Sequence, residues 1–176
     1  GVGFERSRLL SEYSFSEFAV SDAGDYVIAG GVKSANPEGK LEDAELIHKG
    51  ILWRTADILE SPAPVPFQEF KDKHPNFAIT AVGISPASEH VVTAGRRGKM
   101  VVWNIADGRA IAEADGQHNS DQVSGIFFES ETQMVSAGYD GKVFRSTVSG
   151  NEITASRIER SPGESDPDFI VRLRPS

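Results

Sequence analysis

Residues 79–104 read ITAVGISPASEHVVTAGRRGKMVVWN, and this stretch decides the fold. Its apolar residues recur with a period of two, the spacing of a strand, rather than the 3.6 of a helix. Ala81-Val82-Gly83-Ile84 alternates up to a turn; Val91-Val92-Thr93-Ala94 is a second β-rich run, Met100-Val101-Val102-Trp103 a third. Arg109 to Ala114 extends the pattern to a fourth. Turn chemistry separates them: Ser85-Pro86-Ala87-Ser88, Gly95-Arg96-Arg97-Gly98 and Ala106-Asp107-Gly108. Four short strands joined by tight turns predict an antiparallel meander, and the expected class is all-β.

Working outward, the same phrase occurs three times. Apolar residues stand at i, i+3 and i+5, and a turn and a β-rich run ending in Gly follow. Phe15/Phe18/Val20 lead to Gly30, Ile79/Val82/Ile84 to Gly95, and Val123/Ile126/Phe128 to Gly138. From Ile84 to Phe128 the step is 44 residues, inside the roughly 40–45-residue class of four-stranded propeller blades. The third copy keeps the order: Ser136-Ala137-Gly138, Tyr139-Asp140-Gly141, Val143 to Thr147, a turn at Ser149-Gly150-Asn151, then Glu152 to Ile158. Lys40 to Lys49 is the one stretch with a helical pattern.

Composition bounds the function. The 176 residues suffice for one domain with a real core. Eighteen basic against 26 acidic residues give a net charge of −8, which repels phosphate backbones, so no nucleic-acid partner is expected. There is no Cys, which removes disulfides, thiolate zinc sites and cysteine nucleophiles. It does not fix the compartment, for which the cytoplasm is the expectation. No apolar run approaches the roughly 18 residues of a membrane span and the first residues do not read as a signal peptide, so a soluble chain with no membrane partner is expected.

The chain carries no recognised catalytic pattern. His48, His74, His90 and His118 form no His-Glu-x-x-His or other close ligand pairing. Asn36-Pro37-Glu38-Gly39-Lys40 looks like a phosphate loop, but Ser34 stands at the first Gly position and Leu41 at the Mg²⁺-ligating one. The acidic clusters Glu42-Asp43-Ala44-Glu45 and Glu164-Ser165-Asp166 read as solvated loop charge, and no Gly-x-Ser-x-Gly elbow occurs. No catalytic residue, metal ligand or cofactor is expected.

These residues resemble the WD-repeat β-propellers. Ser21-Asp22-Ala23-Gly24-Asp25-Tyr26 is similar to that family's Ser-Pro-Asp-Gly turn, with Asp in place of Pro, and Ser85-Pro86 starts the same turn again. Lys99-Met100-Val101-Val102-Trp103-Asn104 resembles the third strand, which usually ends in Trp-Asp, and Leu52-Trp53-Arg54 the same place in the first copy. His74 and His118 each precede the next repeat by five residues, near the family's Gly-His dipeptide, with Lys73 and Gln117 in place of Gly. Asp140 takes the tight-turn Asp. The resemblance implies a buried polar set of His, Ser or Thr, Asp and Trp in each blade, structural rather than catalytic. The second repeat offers His74, Thr93 and Trp103, with Arg97 where Asp is expected. The third offers His118, Ser136 and Asp140, with Ser146 where Trp is expected. A half-satisfied buried network is costly, so other groups should rebuild these sets.

The expected organisation is a single propeller segment over 1–176: blade one at about 15–73, blade two at 76–118, blade three at 122–160, and partial blades at 4–10 and 168–176. Val171-Arg172-Leu173-Arg174-Pro175 resembles Val82-Gly83-Ile84-Ser85-Pro86, an inner strand. Closed propellers have about four to eight blades, so the remaining ones should come from the same chain or another copy. Blade one carries an inserted loop over 32–49, because Gly30 and Trp53 are 23 residues apart against 8 for Gly95 and Trp103. The resemblance implies a non-catalytic scaffold that binds a protein or peptide through loops on one face. Arg96, Arg97 and Tyr139 in the tight turns, and Gln122 ahead of an inner strand, are the candidate contacts, Arg and Tyr being frequent hot-spot types. The alternative is an enzymatic or ligand-binding propeller with polar groups in its central channel. Thr80, Gly83, Ser124 and Gly125 on the inner strands are too small and bland to favour it.

Overall fold

Runs of β-branched and aromatic residues bounded by Gly, Ser and Asp turns form the strands. In the computed structural model, which describes residues 13–34, 46–61, 64–71, 73–74 and 78–159, they group into three four-stranded antiparallel meanders. Blade one is β1 (Tyr13–Val20), β2 (Tyr26–Ser34), β3 (Leu46–Arg54) and β4 (Gln68–Phe70). Blade two is β5 (Ile79–Ile84), β6 (His90–Gly95), β7 (Met100–Asn104) and β8 (Ala110–Ala114). Blade three is β9 (Val123–Phe128), β10 (Gln133–Gly138), β11 (Val143–Ser149) and β12 (Glu152–Arg157). The inner strands β1, β5 and β9 lie side by side in that order, as blades around an axis do. Blades two and three also meet at their outer strands through one parallel pair, Glu113 opposite Glu152.

The repeat is visible in local chemistry. In each blade a serine hydroxyl closes the turn after the inner strand. Ser21 Oγ accepts from the Tyr26 N–H at 3.0 Å, Ser85 Oγ from His90 at 3.0 Å, and Ser130 Oγ from Gln133 at 3.1 Å. Each inner strand also carries a bulge near its start, at Phe15/Glu17, Ile79/Ala81 and opposite Ala137/Gly138. That register pairs Phe15 with Gly31, as Ile79 pairs with Gly95, so Gly31 rather than Gly30 is the equivalent glycine.

Burial explains why the strands of blade two are apolar on both faces. One cluster joins Ile28, Leu52 and Phe70 of blade one to Ile79, Val82, Val91, Val101 and Trp103. Two others join Val92, Val102 and Ala112 to Phe128 and Met134, and Ala81, Ala94 and Met100 to Val123. A sheet packed on both sides reads as a continuous apolar run, hence Val91-Val92 and Met100-Val101-Val102-Trp103. Blade three is packed on one side only: β12 buries none of its six residues fully.

Two expectations change. The insert of blade one is not loop over all of 32–49: residues 32–34 and 46–49 extend β2 and β3 as a hairpin, with Ser34 opposite Leu46. The helical pattern of Lys40 to Lys49 therefore ends in strand at 46–49. Residues 35–45, like the partial blades at 4–10 and 168–176, lie outside the described residues. A helix that the pattern does not show, α1 (Thr55–Glu60), links β3 to β4.

Candidate functional site

Antiparallel order puts the β2–β3, β6–β7 and β10–β11 turns at one end of the blades, together with the β4–β5 and β8–β9 crossings. The polar sets and the candidate contacts are all at or below this end. In blade two the Trp103 indole N–H donates to Thr93 Oγ1 at 2.8 Å, and Thr93 Oγ1 lies 2.9 Å from His74 Nε2. The Thr93 hydroxyl, with one donor and two lone pairs, thus bridges the indole and the imidazole. The position that Asp140 fills in blade three is taken here by Arg97, and His74 Nδ1 is buried without a hydrogen-bond partner. Burial first, then the positive charge of Lys99, lowers the His74 pKa to about 4.

Blade three has the carboxylate and lacks the indole. His118, fully buried, donates from Nδ1 to Asp140 Oδ1 at 3.0 Å and accepts at Nε2 from Ser136 Oγ at 2.9 Å. The Lys142 N–H also donates to Asp140 Oδ1, at 3.1 Å. Burial raises the Asp140 pKa, but the His118 and Lys142 hydrogen bonds outweigh it and hold the carboxyl below the ordinary range. Where Trp is missing, Ser146 is buried, with the Gln117 side chain 3.4 Å away and the Phe144 ring edge-on to His118 at 4.8 Å. Gly138 is obligatory there, since a Cβ would lie 2.4 Å from His118 Nδ1.

Blade one shows a third gap, which sequence reading missed. Trp53 faces Val27 as Trp103 faces Val91, so the position of Thr93 is taken by Ala29. The Trp53 indole N–H is accordingly buried and unpartnered. Blade two thus lacks the carboxylate and blade three the indole, whereas blade one keeps only the Trp, with Leu10 five residues before Phe15 and Lys33 two after Gly31 in the sequence.

Above these sets the turns present side chains. Arg96 and Arg97 are exposed in a 3₁₀ turn, Arg96–Gly98, that packs against the second such turn, Gln117–Ser120. The packing is backbone on backbone: a Cβ on Gly98, whose φ is +64°, would stand 1.6 Å from the Gln117 carbonyl oxygen. Arg97 itself holds a left-handed φ of +62°, unusual for a long side chain. Tyr139 is 69% exposed, and its N–H donates to the half-buried Gln122 carbonyl at 3.0 Å. The structure therefore brings Tyr139 and Gln122 together, and the arginines occupy the equivalent turn of the neighbouring blade. His48, on the hairpin extension of blade one, has its pKa lowered by burial and by the charge of Arg96.

Charge around this end is unevenly paired. Lys49 meets Glu69 at 2.7 Å, and Lys99 meets Glu113 at 3.0 Å and Asp115 at 3.1 Å. Arg96 forms no ion pair among the described residues. At the opposite end, Glu89, His90 and Glu131 bring ligand-type atoms within 4.8 Å of one another, a grouping that linear spacing hides because it spans two blades. Its only signal in the sequence was the repeat itself, which sets the turns after β5 and β9 next to each other.

Repeated meanders with their inner strands side by side define part of a β-propeller, and the incomplete His–Ser/Thr–Asp/Trp sets resemble those of WD40 repeats. Solved structures of that fold match it: the β-propeller domain of Myceliophteria thermophila Cps50 (Swd1) at TM-score 0.60 and 14% identity, over 90% of this chain and 42% of that one. Chaetomium thermophilum Sqt1, bound to the N-terminus of ribosomal protein L10, matches at TM-score 0.58 and 18% identity, over 82% and 34%. The WD40 repeats of RRP9 match at 0.57 and 17%, over 84% and 38%. The chain thus spans less than half the length of these propellers, and at such identities the likeness is one of fold. No protein-family model and no curated protein matches the sequence.

Proposed function

We propose that this chain is part of a non-catalytic scaffold that binds a protein or peptide at the loop-bearing end of its blades. The observation that carries this is the pairing of a largely exposed, backbone-anchored Tyr139 beside Gln122 with an Arg96 that has no acidic partner among the described residues. Aromatic and guanidinium groups on rigid turns lose little entropy on binding, which is what makes them energetic anchors. Arg97 lies in the same turn. The propeller of Sqt1 is seen with a ribosomal-protein segment, which fits the same use of the fold.

A catalytic channel finds less support. On the inner strands Thr80 Oγ1 donates to the Val123 carbonyl at 2.6 Å and Ser124 Oγ to the Ala137 carbonyl at 3.1 Å, so these hydroxyls are spent on structure. Further blades of the same polypeptide, or a second copy, would cover the flank of blade one. The test is co-purification of the full gene product and an Arg96→Ala/Tyr139→Ala variant from source cells, with far-UV circular dichroism confirming the fold. Loss of a protein partner by the variant is expected; equal recovery overturns the assignment of this end.

A further inference from the structure

We propose a divalent transition-metal site, best suited to zinc, at the end of the blades opposite the Arg96 and Tyr139 turns, formed by Glu89 and His90 of blade two and Glu131 of blade three. His90 Nδ1 and Glu131 Oε2 lie 3.7 Å apart, within ion-pair reach of a protonated imidazole but beyond hydrogen-bond distance, and each atom is buried with no hydrogen-bond partner. Two facing, unsatisfied polar atoms are an expensive arrangement unless something sits between them. The gap suits a metal. Imidazole nitrogen and carboxylate oxygen each bind zinc at about 2.0–2.2 Å, so two tetrahedral ligands stand about 3.4 Å apart. Closing the observed gap by a few tenths of an ångström completes that geometry, and Glu89 supplies a third ligand from the solvent side, all three atoms lying within 4.8 Å of one another.

The surroundings hold the ligands in place. Ser85 Oγ accepts from the N–H groups of both Glu89 and His90, at 3.2 and 3.0 Å, which clamps the turn carrying two of them. The Ala87 N–H donates to Glu131 Oε1, so that carboxylate is fixed through one oxygen and offers the other to the site. This is the outer shell that orients metal-binding carboxylates elsewhere. One imidazole with two carboxylates selects zinc-like cations over Mg²⁺ or Ca²⁺, which take all-oxygen sets. Two carboxylates neutralise the ion in a chain of net charge −8. Because the ligands come from adjacent blades, metal would brace blade two to blade three, whose outer strands share only one backbone pair.

The test uses the full chain without a histidine tag, dialysed against chelator and titrated with ZnCl₂ by calorimetry, with MgCl₂ as control. One equivalent of zinc is expected, with at least tenfold weaker binding in His90→Gln and Glu131→Gln and a higher melting temperature for the wild type alone. Glu89 is exposed, so Glu89→Gln keeps the fold and should also weaken zinc should the other two variants not fold. Cobalt substituted for zinc should show the visible bands of four- or five-coordinate Co²⁺. No stoichiometric zinc, affinity unchanged in the variants, or Mg²⁺ binding equally well would each overturn the site and would leave the protein-binding end untouched.

Discussion

All three polar sets are incomplete, and in blades one and two a buried polar atom, Trp53 Nε1 and His74 Nδ1, is left without a hydrogen-bond partner. Above pH 6.5 His74 is neutral folded or unfolded and has no effect on stability. The folded pKa is about 4, so on acidification the unfolded chain takes the proton first. Stability is therefore lost between pH 6.5 and about 4, then levels off. The total is on the order of 3 kcal/mol. Arg97→Asp places a carboxylate next to Nδ1 and relieves a left-handed Arg; the His74 ring should then titrate at higher pH by NMR, and an unchanged value contradicts the assignment. Ala29→Ser gives the Trp53 indole the acceptor that Thr93 gives Trp103, and thermal unfolding should show a gain of about 0.5–1.5 kcal/mol. His74, Thr93, Trp103, His118, Ser136 and Asp140 were legible because the 44-residue step aligns blades two and three. Ala29 was not, because the long insert hides which residue of β2 faces Trp53.

At the level of elements, what the sequence displayed best were strands packed on both faces. Val91-Val92 and Val101-Val102 read as β from composition alone, and all four are at most 1% exposed. Amide exchange should therefore be slowest in β6 and β7 and fastest in β12; equal protection across blade three would contradict the one-sided packing. Other elements were hidden for physical reasons. Helix α1 has six residues and no side-chain N-cap, too short for a 3.6-residue period to register. The hairpin extension of β2 and β3 was read as loop because the Gly30–Trp53 spacing of 23 residues, against 8 in blade two, marks an insert without showing that its ends pair.

For the whole molecule, the flank of blade one that faces away from blade two is apolar. Ala29, Ile51 and Trp53 are buried there with help from Phe15 and Ile58, while Phe18 is 69% and Val20 52% exposed on the same inner strand. Exposed apolar side chains on an inner strand are a surface on which a further blade or a second copy would pack. The isolated 176-residue chain should associate with rising concentration by light scattering, less so as Phe18→Ser/Val20→Thr; a monomer at all concentrations contradicts this. The architecture was legible from the repeat, whereas the proposed binding end rests on exposure and pairing that only the fold reveals. Site-specific photo-crosslinking addresses that end most directly, with one crosslinker in place of Tyr139 and another in place of Asp107, in the β7–β8 turn at the opposite end. The account predicts a protein adduct from position 139 and none from 107; adducts from 107 alone would contradict it.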